Sequence, residues 1–480
     1  MIRNEEERSR ILLLNPPHPT GRGFTREGRC TQGAGVWGTQ WPPLSLATTA
    51  ALLRGDGHGV KVLDCPATGM DERALELLVG KFQPDFVFLN TATPTLPNDL
   101  TMAEVIRRAA PQAAIGVMGT HVTVMPQVAL SSAPVDLVVH GEPEETIQEI
   151  CRVSKESWDL VEGISFKEPK SGSIQRNSPR AFMAPEKIPS PDWSDLDLSP
   201  YRLPLRGTPF LMVAPVRGCP YPCSFCTAPL YYGKKLRKRP IEIVVDEMEE
   251  SLHRFSVRDF FVWADTFTAD KAYAEAFSRE IMARRLDIAW TCNSRVDTID
   301  RSLLSLMKQA GLWMISFGLE SGNHVVLKHC NKRITVNQSK TAVNVAHELG
   351  IKTSGHFILG LPGEKQNSME ETLALALELP LDIAQFYAAA PFPGTPLFYE
   401  ALEAGWLNED GLFSQAFSTM ALPGLSAHRV DLFRRHAYRS FYGRPKALLN
   451  LLAMVKPRAA KTILKSFLQF QNWTKAPGPA

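Results

Sequence analysis

The segment VRGCPYPCSFCTAP, Val216–Pro229, places three cysteines within eight residues. These cysteines are Cys219, Cys223 and Cys226. Pro220 and Pro222 separate the first two, and proline fixes φ and lacks a backbone N–H. The spacing C-x3-C-x2-C therefore excludes a regular helix and predicts a loop that can curl around a bound metal group.

Three thiols restrict the kinds of site that the loop can form. A structural zinc site needs a fourth ligand, which His253 or Cys292 would have to supply. A disulfide leaves one thiol over and suits an oxidising compartment. An iron–sulfur cluster takes thiolates readily, and three of them leave one iron of a [4Fe–4S] cluster open to a substrate or cofactor. The residues therefore favour a cluster.

The composition is that of an ordinary globular protein. The chain has 480 residues, of which 44% are hydrophobic and 21% charged, with a formal net charge of +3. No apolar run approaches the roughly 20 residues that a membrane span requires, and the charged N-terminus MIRNEEERSR does not resemble a signal peptide. The eight cysteines suit a reducing compartment, so we expect a cytoplasmic protein.

Strand-like and helix-like segments alternate in the N-terminal third. The strand candidates are Arg10–Asn15, Val60–Asp64, Phe86–Asn90, Ala114–Met118 and Asp136–Val139, with helical segments at Leu44–Arg54 and Ala103–Ala110. This alternation predicts an α/β fold with a doubly wound, flavodoxin-like parallel sheet. Ligands bind such folds beyond the carboxyl ends of the strands, where this chain has loops rich in Gly, Pro, Thr and His.

A second series of six strand–helix units begins at Leu211 and predicts a partial (β/α)6 barrel, with its site at the carboxyl ends of the strands. The cysteine loop follows the first of these strands. We predict a doubly wound domain at 1–150, a linker that can hold a hairpin at 151–209, the partial barrel at 210–415 and a helical, basic C-terminal extension at 416–480.

CPYPCSFC resembles the cluster motif of the radical S-adenosylmethionine (SAM) superfamily, in which the open iron chelates the amino and carboxylate groups of SAM. The resemblance continues through ADTFTAD (264–270), WTCNSRVDTID (290–300), FGLESGNHVVLKHCNK (317–332), GHFILGLPGE (355–364) and PFPGTPL (391–397). It implies a [4Fe–4S] cluster on Cys219, Cys223 and Cys226. It also implies SAM bound near Phe225, near Glu320 and Ser321 after the fourth strand, and near Gly360 after the fifth.

The N-terminal domain resembles the cobalamin-binding domain often fused ahead of this barrel. The resemblance implies cobalamin contacts from residues in the loops that follow the strands, namely Asn15, Thr91, Thr93, Gly119, Thr120, His121, Gly141 and Glu142. Cobalamin-binding domains that supply a histidine ligand to cobalt on the lower face of the corrin carry Asp-x-His-x-x-Gly after the first strand. This chain has NPPHPTG there, so we expect cobalamin without a histidine on its lower face, and His18 is the alternative.

The resemblance implies a radical SAM enzyme that methylates an unactivated carbon, using a 5′-deoxyadenosyl radical and methylcobalamin. It implies a small-molecule or lipid substrate and an electron donor such as flavodoxin or ferredoxin. One alternative is the oxidative ring closure of the anaerobic magnesium-protoporphyrin ester cyclase, or a rearrangement of a polycyclic lipid. A cobalamin or redox sensor without turnover is another.

Two basic segments bear on the partners. KKLRKR (234–239) has no interleaved aromatic residues, so we interpret it as a solvated loop and expect no nucleic-acid partner. The C-terminal extension is basic and helical. We predict that it packs as a cap, and peripheral membrane contact is the alternative.

Overall fold

The computed structural model describes residues 8–18, 26–27, 40–168, 170–407 and 413–459, and they divide into two compact units. Unit 1 comprises the described residues up to Tyr201 together with 227–233. Unit 2 comprises 202–226 and the described residues from Lys234 onward. The remainder of the predicted C-terminal extension, 460–480, lies outside the described residues.

Unit 1 is built on a seven-stranded sheet in the order β2-β1-β3-β4-β5-β6-β7. Its strands are β1 (Arg10–Asn15), β2 (Gly59–Asp64), β3 (Phe86–Asn90), β4 (Ala114–Met118), β5 (Leu137–Val139), β6 (Ile164–Lys167) and β7 (Ile174–Arg176). The first five pair in parallel, which confirms the predicted doubly wound sheet. The last two pair antiparallel and form a hairpin within the segment predicted as a linker.

Helices pack on both faces of this sheet. They are α1 (Leu44–Gly55), α2 (Cys65–Thr68), α3 (Glu72–Phe82), α4 (Leu96–Ala109), α5 (Thr120–Val124), α6 (Pro126–Ser132), α7 (Glu144–Arg152) and α8 (Ala228–Tyr231), with 3-10 turns at Lys155–Leu160 and Pro185–Lys187. Strand β1 is buried from Ile11 onward, and its alternate leucines enter two separate apolar clusters, as a sheet covered on both faces requires. Helix α4 begins at Leu96, earlier than the predicted Ala103, because Pro97 is tolerated in a first helical turn.

Unit 2 contains a six-stranded parallel sheet in the order β15-β14-β13-β12-β11-β8, which confirms the predicted partial barrel. The strands of unit 2, including the two outside this sheet, are β8 (Phe210–Val213), β9 (Val216–Arg217), β10 (Arg237–Lys238), β11 (Asp259–Val262), β12 (Ala289–Ser294), β13 (Leu312–Glu320), β14 (Lys352–Leu359) and β15 (Ile383–Ala388). Strands β9 and β10 form a separate antiparallel pair on either side of the cysteine loop.

The helices of unit 2 are α9 (Ile241–Phe255), α10 (Lys271–Ala283), α11 (Arg301–Gln309), α12 (His324–His329), α13 (Val336–Glu348), α14 (Gln366–Glu378), α15 (Pro396–Glu403), α16 (Ala427–Tyr442) and α17 (Pro445–Met454), with 3-10 turns at Phe267–Ala269 and Pro457–Ala459. Asp270 and Asp300 cap α10 and α11 by accepting backbone N–H groups. Such caps satisfy donors that a helix start leaves unpaired.

The basic run KKLRKR is exposed at Lys234, Lys235 and Lys238, as the interpretation of a solvated segment expects, but its second half is not a loop. Arg237 and Lys238 pair as β10 with β9, and the Arg239 guanidinium is buried 2.9 Å from the Glu247 carboxylate. The interpretation as a solvated loop therefore holds for only part of the run, because a charge pattern does not show that a strand and a buried acidic partner lie beside it. The run therefore braces the segment that carries the cysteines.

Helix α16 covers the free edge of β15. The Tyr442 hydroxyl donates to the Ala384 carbonyl oxygen at 2.9 Å, and the Phe386 N–H donates to the Tyr438 hydroxyl at 3.1 Å. The Arg434 guanidinium donates to the Phe386 carbonyl at 3.1 Å. These bonds satisfy backbone groups that an edge strand leaves open, so this part of the C-terminal extension packs as a cap.

Candidate functional site

The cysteine loop lies directly after β9 and contains no helix until α8 begins. Cys219 is buried, whereas Cys223 and Cys226 are partly exposed, and all three are free thiols. Gly218, just before the first cysteine, has a φ of +89°. A glycine is needed there because other residues rarely adopt that conformation.

Three backbone hydrogen-bond contacts fix the loop from other parts of unit 2. The Ser224 N–H donates to the Cys330 carbonyl at 3.0 Å, and the Leu397 N–H donates to the Ser224 carbonyl at 2.9 Å. The Asn331 amide donates to the Pro222 carbonyl at 3.1 Å. Residues 330–331 follow α12 and Leu397 lies in α15, so segments distant in sequence set the path of the loop.

Polar side chains lie beside two of the thiols. The Thr266 hydroxyl lies 3.9 Å from Cys219 Sγ, and Arg295 Nη1 lies 3.9 Å from Cys223 Sγ. Thr266 follows β11 and Arg295 follows β12, so both project from the carboxyl edge of the sheet. The predicted position of the site at this edge agrees with the geometry.

The donor set suits an iron–sulfur cluster. As the side chains stand, the described residues contain no group of three His, Cys, Asp or Glu that could hold a metal ion, so the thiols must turn toward one another to share one. Three free thiols on one helix-free loop are the ligands that such a cluster takes. The alternative zinc ligands do not join them, since Cys292 is buried in β12 and His253 is exposed on α9.

Glu320 ends β13 as a buried carboxylate held by a cation. Lys332 Nζ lies 2.6 Å from Glu320 Oε1, and both side chains are buried. Glu320 has a φ of +62°, which is rare outside glycine and marks a constrained position. A Cβ atom on Gly318 would lie 2.5 Å from Glu320 Oε1 and 2.8 Å from Lys332 Nζ, so the ion pair occupies the space above this glycine.

The other three predicted SAM residues have different surroundings. Phe225 is partly buried against the apolar cluster that contains Ile358 and Leu397. Gly360 follows β14 with a φ of +86°, so its backbone turns sharply at the carboxyl edge. Ser321 is fully buried, and its hydroxyl lies 3.1 Å from the Thr372 hydroxyl of α14. This contact joins the end of β13 to α14.

Glu364 is a buried carboxyl group behind Gly360. Its Oε2 accepts the backbone N–H groups of Gly360 and Leu361, whereas Oε1 is buried without a hydrogen-bond partner among the described residues. Burial raises the pKa of Glu364 from 4.5 to about 8, and the two N–H groups only partly oppose this. The group therefore carries a proton at neutral pH.

The stability of unit 2 is expected to depend on this proton. The folded pKa lies above the unfolded one, so the contribution is complete below pH 4.5 and is lost as the pH rises from 4.5 through about 8. The loss can reach about 1.4 kcal/mol per pH unit. In denaturant titrations, Glu364→Gln should remove this pH dependence of the free energy of unfolding. Glu370→Gln, on the exposed side of α14, should keep it. An unchanged pH profile in Glu364→Gln would contradict the buried protonated carboxyl.

The face of the six-stranded sheet opposite its helices carries polar side chains. Trp290 shows which face the helices cover, because it packs on Phe267 and on Phe277 of α10. Side chains alternate along a strand, and residues in register share a face. The opposite face therefore carries what we call the inner-face row: Asn293, Ser316, Ser354, His356, Gln385 and Tyr387.

The inner-face row is hydrogen-bonded yet partly open. His356 Nδ1 lies 3.0 Å from the Tyr387 hydroxyl, which donates to Gln385 Oε1. All members except Ser354 are partly exposed, and Asn293 and Ser316 make no side-chain hydrogen bond to another described residue. A purely structural sheet would carry Val, Ile and Leu at such positions. Gly318, under the Glu320–Lys332 pair, is the neighbour of His356 in register.

Unit 1 gathers polar side chains at the carboxyl ends of its central strands. The Asn90 amide donates to Asn15 Oδ1 at 3.1 Å, and Asn15 is in register with Asp64. The Tyr201 hydroxyl donates to Asp64 Oδ2 at 2.8 Å. Burial raises the pKa of Asp64, and the Tyr201 hydrogen bond opposes this. Sequence reasoning predicted Asn15 at this edge and did not single out Asp64 or Tyr201.

The remaining predicted cobalamin residues follow β3, β4 and β5, and Thr120 and His121 lie in the first turn of α5. The Thr91 hydroxyl donates to the Met118 carbonyl at 2.8 Å, and a Cβ atom on Gly119 would lie 2.2 Å from the Thr91 carbonyl oxygen. The Gly141 N–H donates to the Thr123 hydroxyl at 2.9 Å. Burial lowers the pKa of His121 to about 4, which keeps its imidazole neutral. The other members of the set are Thr93 and Thr120, which are partly exposed, and Glu142, which is buried.

Comparisons with known proteins agree with both units. The Radical SAM superfamily profile matches residues 213–376, and the B12 binding domain profile matches residues 33–151. An uncharacterized methyltransferase of Pyrococcus horikoshii is 32% identical over 474 residues, covering 96% of this chain and 99% of that protein. The chain belongs to the cobalamin-dependent radical SAM methyltransferase family. The predicted family is therefore confirmed, and its cofactors are a [4Fe–4S] cluster, SAM and cobalamin.

Two further relatives of this radical SAM methyltransferase are informative. The anaerobic magnesium-protoporphyrin IX monomethyl ester cyclase of Cereibacter sphaeroides is 28% identical, with 82% of this chain matching 63% of that protein. The methyltransferase TsrM of Kitasatospora setae was solved with cobalamin and a [4Fe–4S] cluster and, separately, with tryptophan substrate. It has 18% identity and a TM-score of 0.68, covering 94% of this chain and 90% of TsrM, which supports the shared fold.

Sequence reasoning about this family member missed several residues at the carboxyl edge of unit 2. Arg295 lies in the segment NSRVD, and Lys332 lies in HCNK. A charged residue directly after a barrel strand is a signal that could have found Arg295. Lys332 lies beyond α12, and only the folded chain brings it to Glu320.

Proposed function

We propose that this enzyme methylates an unactivated carbon of a small molecule bound against the inner-face row. The observation that carries the proposal is the row itself: partly exposed hydrogen-bonding side chains on the face opposite the helices. Tyr387 packs on the same apolar cluster as Phe225 of the cysteine loop, so the row and the cofactor loop share one support.

The chemistry of the row defines a substrate class. Its side chains are amides, hydroxyls and one imidazole, and the nearby cation Lys332 is paired with Glu320. Lys352, on the same strand as His356, is paired with Asp382 at 2.9 Å. Both lysines beside the row are therefore already paired with carboxylates. We infer a substrate that presents neutral hydroxyl, amide or ring N–H groups to it.

Each cofactor has proposed holders among the described residues. Cys219, Cys223 and Cys226 would hold the cluster. The residues that would border SAM are Phe225, Glu320, Ser321 and Gly360. The polar edge of unit 1, from Asn15 to Glu142, would hold cobalamin. When bound, the cluster and SAM supply a carbon radical and cobalamin supplies the methyl group. The protein residues orient these groups and keep water from them.

The test starts without a substrate. The protein is reconstituted anaerobically with iron, sulfide and cobalamin, reduced, and given SAM labelled in its methyl group. We expect S-adenosylhomocysteine and a labelled methyl group on cobalamin, followed by labelled products when small metabolites are added. Release of 5′-deoxyadenosine with unmethylated cobalamin would favour cyclase-like chemistry instead. The absence of every SAM product would favour a sensor.

Variants of the inner-face row are expected to lower the yield of methylated product without changing the release of 5′-deoxyadenosine in the absence of substrate. Gln385→Ala removes the hydrogen-bonding amide and leaves the carboxyl edge unchanged. Loss of one hydrogen bond to the substrate should lower the yield of methylated product about tenfold. Release of 5′-deoxyadenosine without substrate should not change. The control is Gln309→Ala on the exposed side of α11. Equal product yields from the two variants would remove Gln385 from the substrate site.

The remaining partners are proposals. A low-potential electron donor such as flavodoxin or ferredoxin would reduce the cluster. The seven described free thiols support a reducing, cytoplasmic setting. No helix in the described part of the chain is long and apolar enough to cross a membrane. Peripheral membrane contact stays a prediction, supported by Leu449 and Leu452 of α17, which are each 66% exposed.

A further inference from the structure

Arg295 is a buried cation that lies beside the cysteine loop. Its Nη1 lies 3.9 Å from Cys223 Sγ, and its guanidinium stacks 3.8 Å from the centre of the Tyr221 ring. Both contacts are to the C-x3-C-x2-C loop, although Arg295 follows a different strand, β12. The residue is only 3% exposed, so its charge is weakly screened by water.

The orientation of the guanidinium is fixed by its other nitrogens. Nε and Nη2 donate to the two carboxylate oxygens of Asp297 at 2.9 and 2.8 Å. Nη2 also donates to the Lys332 carbonyl at 2.8 Å. A bidentate pair fixes the plane of an arginine as well as its position. Nη1 is therefore the nitrogen left to face the sulfur.

The Lys332 contact connects Arg295 to the predicted SAM side of the site. The Lys332 carbonyl accepts from Arg295, and its ammonium group holds Glu320 at 2.6 Å. The preceding residues 330 and 331 bond the backbone of the cysteine loop at Ser224 and Pro222. Residues 330–332 thus join the loop, Arg295 and Glu320 in one bonded group.

We propose that Arg295 is a positioning residue that stabilises the reduced state of the cluster through the Cys223 sulfur. Reduction adds one electron from the donor to a group already negative through its thiolates. Asp297 offsets part of the guanidinium charge, but the Nη1 N–H groups still face the ligand sulfur and favour the added electron, because hydrogen bonds and net charge at the sulfurs set cluster potentials. The proposal rests on the proposed ligand role of Cys223.

The test is a redox titration of the reconstituted full-length protein without SAM, followed by the electron paramagnetic resonance signal of the reduced cluster. Arg295→Gln should make the midpoint potential more negative, shifting the reduction equilibrium about tenfold, which is about 59 mV for one electron. Arg295→Lys keeps a positive charge without the planar guanidinium group and should shift the midpoint potential less. Arg301→Gln is the matched control, since Arg301 is exposed on α11 and pairs with Glu348.

The outcomes separate the proposal from its alternatives. A wild-type potential in Arg295→Gln, with weakened SAM binding, would overturn it and assign the residue to SAM. If Arg295→Gln does not fold, Asp297→Asn keeps the cation and removes the carboxylate that offsets its charge, so the midpoint potential should become less negative; no shift there overturns the proposal. Full iron content in Cys223→Ala would instead refute the ligand role of Cys223.

Discussion

Replacing Cys226 with alanine is expected to abolish SAM cleavage. The proposed ligand set has only three thiols, and the loop offers no substitute because the remaining positions between Gly218 and Thr227 lack a thiol or imidazole. Loss of one ligand should lower iron content and reduce 5′-deoxyadenosine release by more than about a hundredfold. Iron and sulfide analysis together with product chromatography under anaerobic, reducing conditions measures both effects.

Cys330→Ala is the matched control for this prediction. Cys330 is a fully buried thiol whose carbonyl, not its sulfur, bonds the cysteine loop at Ser224. Burial raises the pKa of the Cys330 thiol to about 12, so it remains protonated. The control should keep its cluster and its cleavage activity. Persistent cleavage in Cys226→Ala, or equal loss in both variants, would contradict the proposed ligand set.

Replacing Gly119 with alanine is expected to remove cobalamin while leaving the cluster in place. Gly119 has a φ of +137°, a conformation that costs other residues about 1–3 kcal/mol. The new Cβ would also lie 2.2 Å from the Thr91 carbonyl oxygen, and backbone atoms cannot move away cheaply. The loops after β3 and β4 must therefore separate. We expect bound cobalamin to fall at least about tenfold, from a displacement costing about 1.4 kcal/mol or more.

The measurement for Gly119→Ala is cobalamin absorbance per chain after gel filtration, with iron content of the same sample reporting on unit 2. Gly80→Ala is the control, because Gly80 lies on the exposed side of α3 with nothing within 4 Å of a new Cβ. That change should stabilise its helix by up to about 1 kcal/mol. Full cobalamin content in Gly119→Ala would place the cofactor away from these loops.

The sequence predicted the elements well where the signal is local. Strand β1 has an apolar centre at 11–14, and β11 to β15 each contain apolar residues between turn residues, so their existence follows from a few neighbouring side chains. Helix α4 was predicted too short because its first turn contains Pro97 and polar residues typical of loops. The hairpin β6–β7 was weakly signalled because β7 is exposed throughout and lacks a buried face.

The sequence by itself determined the three-thiol motif, the alternation that makes both sheets parallel, and hence the edge at which each site lies. Each of these features depends on residues that lie close together in the sequence, so it can be recognised before the fold is known. The tertiary structure alone decided that Arg295 faces Cys223, that Lys332 holds Glu320, and which side chains form the inner-face row. Those neighbours depend on strand register and on the return of distant segments, which local periodicity does not encode.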